Sequence, residues 1–127
     1  MLYPSAFRIA LYLKMDHFIK TLEKLEIAFT DKGKEFNRVL KMGRTQLQDA
    51  VPMTLGQEFE AYAATLEEEI LRLNENAKLF LESNMGGTAI GTGINSDPEY
   101  SKLVIDAMIE VTKLPIVLAA NLVEATQ

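Results

Sequence analysis

The 127-residue sequence contains no cysteine and no tryptophan, a single histidine (His17) and four prolines. Without cysteine there is no disulfide framework, thiolate zinc site, iron–sulfur cluster or cysteine nucleophile, and a reducing compartment is the simplest setting. With His17 as the only imidazole, a His–His metal pair or a two-histidine facial triad needs another chain, so no metal site is expected. Basic residues are also few, 13 against 18 acidic, for a net charge of −5. No Lys/Arg cluster forms a phosphate-binding stripe, which argues against a nucleic-acid partner. Apolar runs such as Ile116 to Ala120 fall far short of the roughly 20 residues that span a bilayer. The N-terminus has no basic-then-apolar signal pattern, so no membrane association and a cytoplasmic location are expected.

What is present is helical periodicity. The length fits one small domain, and 48% hydrophobic residues with 24% charged ones describe a chain able to bury a core. Phe7, Leu11, Met15, Phe18, Leu22, Leu25, Phe29, Phe36 and Leu40 recur at steps of three and four, apart from one longer step at Lys32-Gly33. They predict a long helix over about 5–41, in which Gly33 costs about 1 kcal/mol relative to alanine and marks a candidate break. A second seam, Leu55, Phe59, Tyr62, Leu66, Ile70, Leu73, Ala77 and Phe80, predicts a helix over about 55–82. Thr54 is its expected N-cap and Gln57 the capping-box partner. Asp97-Pro98-Glu99 starts a shorter helix over about 98–112, ended by Lys113-Leu114-Pro115. Helices of 40 to 50 Å exceed the width of a compact domain of this size, whose radius of gyration is about 14 Å. Two such rods only partly cover each other, so the sequence reads as self-associating or as a piece of something larger.

Two connections carry chemistry. Lys41 to Thr54 is long for a helix–helix link and polar, and Lys41, Arg44, Thr45, Gln46, Gln48 and Asp49 offer groups suited to an anionic ligand with two or more oxygens. The same residues could instead serve themselves, Arg44 pairing with Asp49 while Thr45 and Gln46 satisfy the turn. Gly86 to Asn95 holds four glycines, which suggests positive φ or a close approach. It is no dinucleotide fingerprint, because Ser96 stands where G-x-G-x-x-G needs glycine and no strand precedes it. His17 reads as a partly exposed residue without a catalytic task. Glu67-Glu68-Glu69 reads as a solvated face on which Glu68 and Arg72 are spaced for an i,i+4 pair.

The string Lys41 to Phe59, KMGRTQLQDAVPMTLGQEF, closely resembles the second signature region of the aspartase/fumarase superfamily. Gly86 to Asn95, GGTAIGTGIN, resembles another stretch of the same family, and Tyr3 to Ala10 resembles the start of its central helical domain. The resemblance thus runs nearly end to end. It implies an all-α fold, residues 1–127 forming part of a bundle of long antiparallel helices, with the family's N-terminal and C-terminal domains lying outside the sequence. After the threonine, fumarases and many relatives carry histidine and a group of aspartate ammonia-lyases carries glutamine; Gln46 points to the latter.

The implied reaction removes ammonia from L-aspartate to give fumarate through a carbanion held as an aci-carboxylate. It uses no organic cofactor, and a divalent cation such as magnesium activates some members. Thr45 and Gln46 are the substrate-binding residues the resemblance carries over. The family's serine base lies in a Gly-Ser-Ser-x-Met-Pro-x-Lys-x-Asn-Pro loop that does not occur here, so a fragment without catalytic activity of its own is expected. A continuous helix over 55–82 would hold the Thr45 and Gly91 loops about 40 Å apart. Because the family's tetramers build each site from several subunits, Thr92 and Asn95 are expected to approach a neighbouring subunit's site. Alternatives are a fumarase or another fumarate-releasing lyase, or a self-associating helical scaffold.

Overall fold

The computed structural model describes residues 2–126, so the ends of the expected 1–127 span, Met1 and Gln127, lie outside the described residues. The chain divides into two compact units, one of residues 17–74 and one of residues 1–16 with 75–127. Helix α1 is Leu2–Glu35, strands β1 and β2 are Leu40–Thr45 and Gln48–Thr54, and helix α2 is Leu55–Ala77. A 3₁₀ turn at Lys78–Leu81 leads to strand β3, Glu82–Ser83. Helix α3, Tyr100–Thr112, strand β4, Val117–Leu118, and a final 3₁₀ turn at Glu124–Thr126 complete the order. The fold is predominantly helical, as the sequence implies, with the strands as additions to it.

In the unit of residues 17–74, the end of α1 runs antiparallel to the start of α2. Phe29 meets Phe59 and Tyr62 at ring-centroid distances of 5.8 and 5.6 Å, and Phe36 meets Phe59 at 5.7 Å. Tilted pairs at this spacing contribute about 0.5–1.5 kcal/mol each beyond area burial. Gly33 is not a break, because α1 continues through it to Glu35. It serves a close approach: a Cβ on Gly56 would stand 2.5 Å from the Gly33 carbonyl oxygen and 2.7 Å from Asn37 Cα. The backbones meet there because residue 56 is glycine, whereas a Cβ on Gly33 would press mainly on the Glu60 side chain, at 2.8 Å.

Four helix limits differ from expectation. The first helix starts at Leu2 and not near residue 5. It stops at Glu35 and not near residue 41. The Phe36 carbonyl accepts the N–H groups of Val39 (3.1 Å) and Gly56 (3.0 Å), and Val39 accepts that of Leu55 (2.8 Å), so this stretch turns to feed β1. The second helix stops at Ala77 and not at residue 82, tightening into the 3₁₀ turn as Leu81 enters the core of the other unit. The third begins at Tyr100 and not at Pro98. Asp97 caps a preliminary turn, its carboxylate accepting the Glu99 N–H at 2.8 Å. It ends at Thr112 as expected, on a left-handed Lys113 whose N–H reaches the Ile109 carbonyl at 2.9 Å.

The unit of residues 1–16 with 75–127 is built around Leu81, Ile105 and Ile116, with Ile9, Tyr12, Met108, Leu114 and Leu118 packed against them. Strands β3 and β4 pair in parallel, Glu82 with Val117 and Ser83 with Leu118. Beside them the Ser5 hydroxyl lies 3.0 Å from that of Ser83 and donates to Asn84 Oδ1 at 3.1 Å, while Arg8 Nη1 donates to the Glu82 carbonyl at 2.8 Å. Asn84 is 1% exposed, so this polar cluster is satisfied internally.

Candidate functional site

The segment expected as a polar loop from Lys41 to Thr54 is an antiparallel β-hairpin. Leu40 pairs with Thr54, Lys41 with Met53, Met42 with Pro52, Arg44 with Asp49 and Thr45 with Gln48, with an irregularity between Met42 and Arg44. Its far end is anchored on α2: Thr54 and Gln57 form the expected capping box, Gln57 N–H to Thr54 Oγ1 at 3.1 Å and Thr54 N–H to Gln57 Oε1 at 2.9 Å. Lys41 Nζ reaches Glu58 Oε2 at 2.6 Å, in the first turn of α2.

The Thr45–Gln48 pairing leaves a two-residue tip, Gln46-Leu47. Both residues have positive φ, +49° and +63°, as a type I′ turn requires. Asn-Gly is the usual occupant; glutamine and leucine hold this backbone at a cost of about 1–3 kcal/mol each. Strain of this kind persists where a site needs a fixed presentation.

The polar residues of the segment divide into two groups. Lys41 is engaged by Glu58, and Arg44 Nε donates to Asp49 Oδ1 at 3.0 Å, so the internal pairing of Arg44 is realised. The side chains of Thr45 and Gln46 are exposed and make no hydrogen bond among the described residues. The hairpin therefore presents one hydroxyl and one carboxamide, with an acceptor on each and three N–H or O–H donors between them, at adjacent positions of a strained tip.

The glycine segment lies in the other unit. Gly91 has φ +95°, its N–H reaches the Gly87 carbonyl at 2.8 Å, and a Cβ there would collide with the Leu122 and Val123 backbone. Close approach and positive φ together explain glycine at this position. Thr92 and Asn95 are both exposed and have no side-chain hydrogen bond among the described residues. Thr92 lines an open cleft of about 290 Å³ with Gly86, Ser96, Asp97 and Ser101. His17 is exposed, as expected, and Arg72 pairs with Glu68 at 3.5 Å and also with Glu69.

Sequence reasoning missed the hairpin and the Ser5–Ser83–Asn84 cluster. The hairpin lacks an Asn-Gly or Asp-Gly signal and carries Pro52 within a strand. The cluster joins positions 78 and 79 residues apart, which no local pattern marks.

Residues 2–127 match the model of a lyase family, Lyase_1. The aspartate ammonia-lyase of Pseudomonas canavaninivorans is 55% identical over 125 residues, covering 98% of this chain and 26% of that protein. A solved fumarate lyase:delta crystallin from Brucella melitensis, bound to cobalt, superposes with a TM-score of 0.79 at 52% identity, over 98% of this chain and 27% of that one. The class II fumarase of Schistosoma mansoni gives a TM-score of 0.74 at 26% identity, over 97% and 29%. The chain spans about a quarter of the length of the curated relatives it matches. With the family matched from residue 2 to residue 127 and the signature hairpin formed, the chain belongs to the lyase family of the aspartase/fumarase superfamily.

Proposed function

We propose that this chain is the part of an ammonia-lyase that offers hydrogen-bond donors to a carboxylate of L-aspartate, in a full-length enzyme that releases fumarate and ammonia. The observation that carries the reading is the tip of the hairpin, where the Thr45 hydroxyl and the Gln46 amide have no hydrogen-bond partner among the described residues and Gln46 has a positive φ. Identity of 55% to an aspartate ammonia-lyase, against 26% to a class II fumarase, favours the amine substrate over the hydroxy acid.

The chemistry asks for such donors. A base removes a proton from the carbon next to one carboxylate, and the electron pair left behind spreads into that group, which then carries a second negative charge. The neighbouring C–N bond breaks, the pair becomes the double bond of fumarate, and the nitrogen leaves as ammonia. Donors fixed in advance on the oxygens that gain charge lower this barrier most. Thr45 and Gln46 serve that role; a carboxamide does not titrate, so Gln46 binds and orients without moving a proton. The base belongs to the part of the enzyme outside these residues.

Thr92 and Asn95 are read as facing a neighbouring subunit's site in a homotetramer. A structure of the assembly with both far from every Thr45 would refute this. No organic cofactor enters the scheme. A divalent cation such as magnesium is proposed only as an activator of the full-length enzyme. A cytoplasmic location is part of the proposal; no described helix is long and apolar enough to cross a membrane.

The test is a substrate comparison with the full-length enzyme. Fumarate released from L-aspartate and not from L-malate is the expected result; release from malate alone assigns the fumarase reading instead.

A further inference from the structure

The tip holds one residue that the proposed chemistry leaves unused. Leu47 follows Gln46 directly, has φ +63°, and is fully exposed at 102% of its reference surface. Both features are unfavourable for leucine. The left-handed region suits glycine or asparagine, and a leucine in water gains nothing from burial. The Thr45–Gln48 register needs two residues of positive φ, which Asn-Gly would supply without strain, so local structure gives no reason for leucine at this place. Leu47 also carries no side-chain donor or acceptor for a substrate.

We infer that Leu47 is a positioning residue for the substrate-binding tip. Its side chain inserts into an apolar pocket formed by the part of the full-length lyase outside these 127 residues. By doing so it fixes the rotation of the turn that aims the Gln46 amide beside it. The occupant follows from length: the chain makes up 26% of a matched relative, so most of the enzyme's apolar surface lies outside it. Leu40 and Val51 of the same hairpin are exposed as well, at 78% and 67%. The inference rests on the carboxylate-binding reading of Thr45 and Gln46.

Steady-state kinetics of the full-length enzyme on L-aspartate test it with five variants. Leu47→Gly and Leu47→Asn both relax the backbone and remove the apolar side chain, whereas Leu47→Met keeps an apolar side chain on the strained backbone. Anchoring predicts that kcat/KM falls by about tenfold or more for the glycine and asparagine variants and stays within about threefold for methionine. Because Leu47 acts through Gln46, adding Leu47→Gly to Gln46→Ala should change kcat/KM by less than about threefold beyond Gln46→Ala alone. If the glycine variant does not fold, Leu47→Asn carries both comparisons. Wild-type kcat/KM in the glycine or asparagine variant overturns the anchor while a loss in Gln46→Ala leaves the site reading standing. Losses that multiply in the double variant overturn the action through Gln46, and a Gln46→Ala enzyme without loss overturns both readings.

Discussion

Asn84 shows how a single residue holds its own unit together. It is 1% exposed and accepts the Ser5 hydroxyl at 3.1 Å, in a cluster that also includes Ser83. Replacing it by alanine leaves the Ser5 group without that partner in a dry site, so Asn84→Ala should lower stability by about 1–3 kcal/mol, read from the midpoint of chemical denaturation. Gly56 predicts a loss of different origin. A methyl group there lies 2.5 Å from the Gly33 carbonyl oxygen, and Gly56→Ala should destabilise by about 1–3 kcal/mol because the two backbones must separate. Arg44 and Asp49 mark the opposite extreme. Their side chains are 73% and 67% exposed, so removing either should change stability by less than about 1 kcal/mol in the same titration. Of these residues, the sequence marks the Arg44–Asp49 pair by its spacing in a turn. It does not mark Asn84, whose role depends on a partner at the far end of the chain.

At the scale of elements, legibility followed how local the determinants are. The capping box of α2 is written in four consecutive residues, Thr54 to Gln57, and both of its hydrogen bonds form as the spacing predicts. Thr54→Ala should therefore cost about 1 kcal/mol, measurable as a fall in the unfolding midpoint, and a serine at the same place should restore it. The end of α3 at Lys113 was likewise marked by Pro115 two residues on. The end of α1 was not, because it is set by carbonyl groups of Phe36 and Val39 accepting N–H groups from Leu55 and Gly56, well along the chain. The β1–β2 hairpin escaped for a related reason. Its tip puts glutamine and leucine where positive φ would normally advertise itself as Asn-Gly, so the residues proposed for binding and positioning are those that hide the turn. The resemblance to the superfamily points to Thr45 and Gln46 and says nothing of the hairpin that presents them.

At the scale of the molecule, the buried hydrophobic residues are few among the described positions, while Phe7, Leu13, Phe18, Ile27 and Leu71 are more than 49% exposed on the two long helices. Such side chains call for partners, and the chain is about a quarter as long as its curated relatives. The 127-residue chain on its own should accordingly self-associate in light scattering and release no fumarate from L-aspartate; a monodisperse monomer, or measurable turnover, would contradict this. The central claim is that the hairpin tip binds the carboxylate that gains charge during proton removal. Its most direct test is the kinetics of Gln46→Ala in the full-length enzyme with L-aspartate. Loss of a donor to the developing charge predicts a fall in kcat/KM of about 10²-fold or more, with folding and assembly intact. Unchanged kcat and KM would contradict the account.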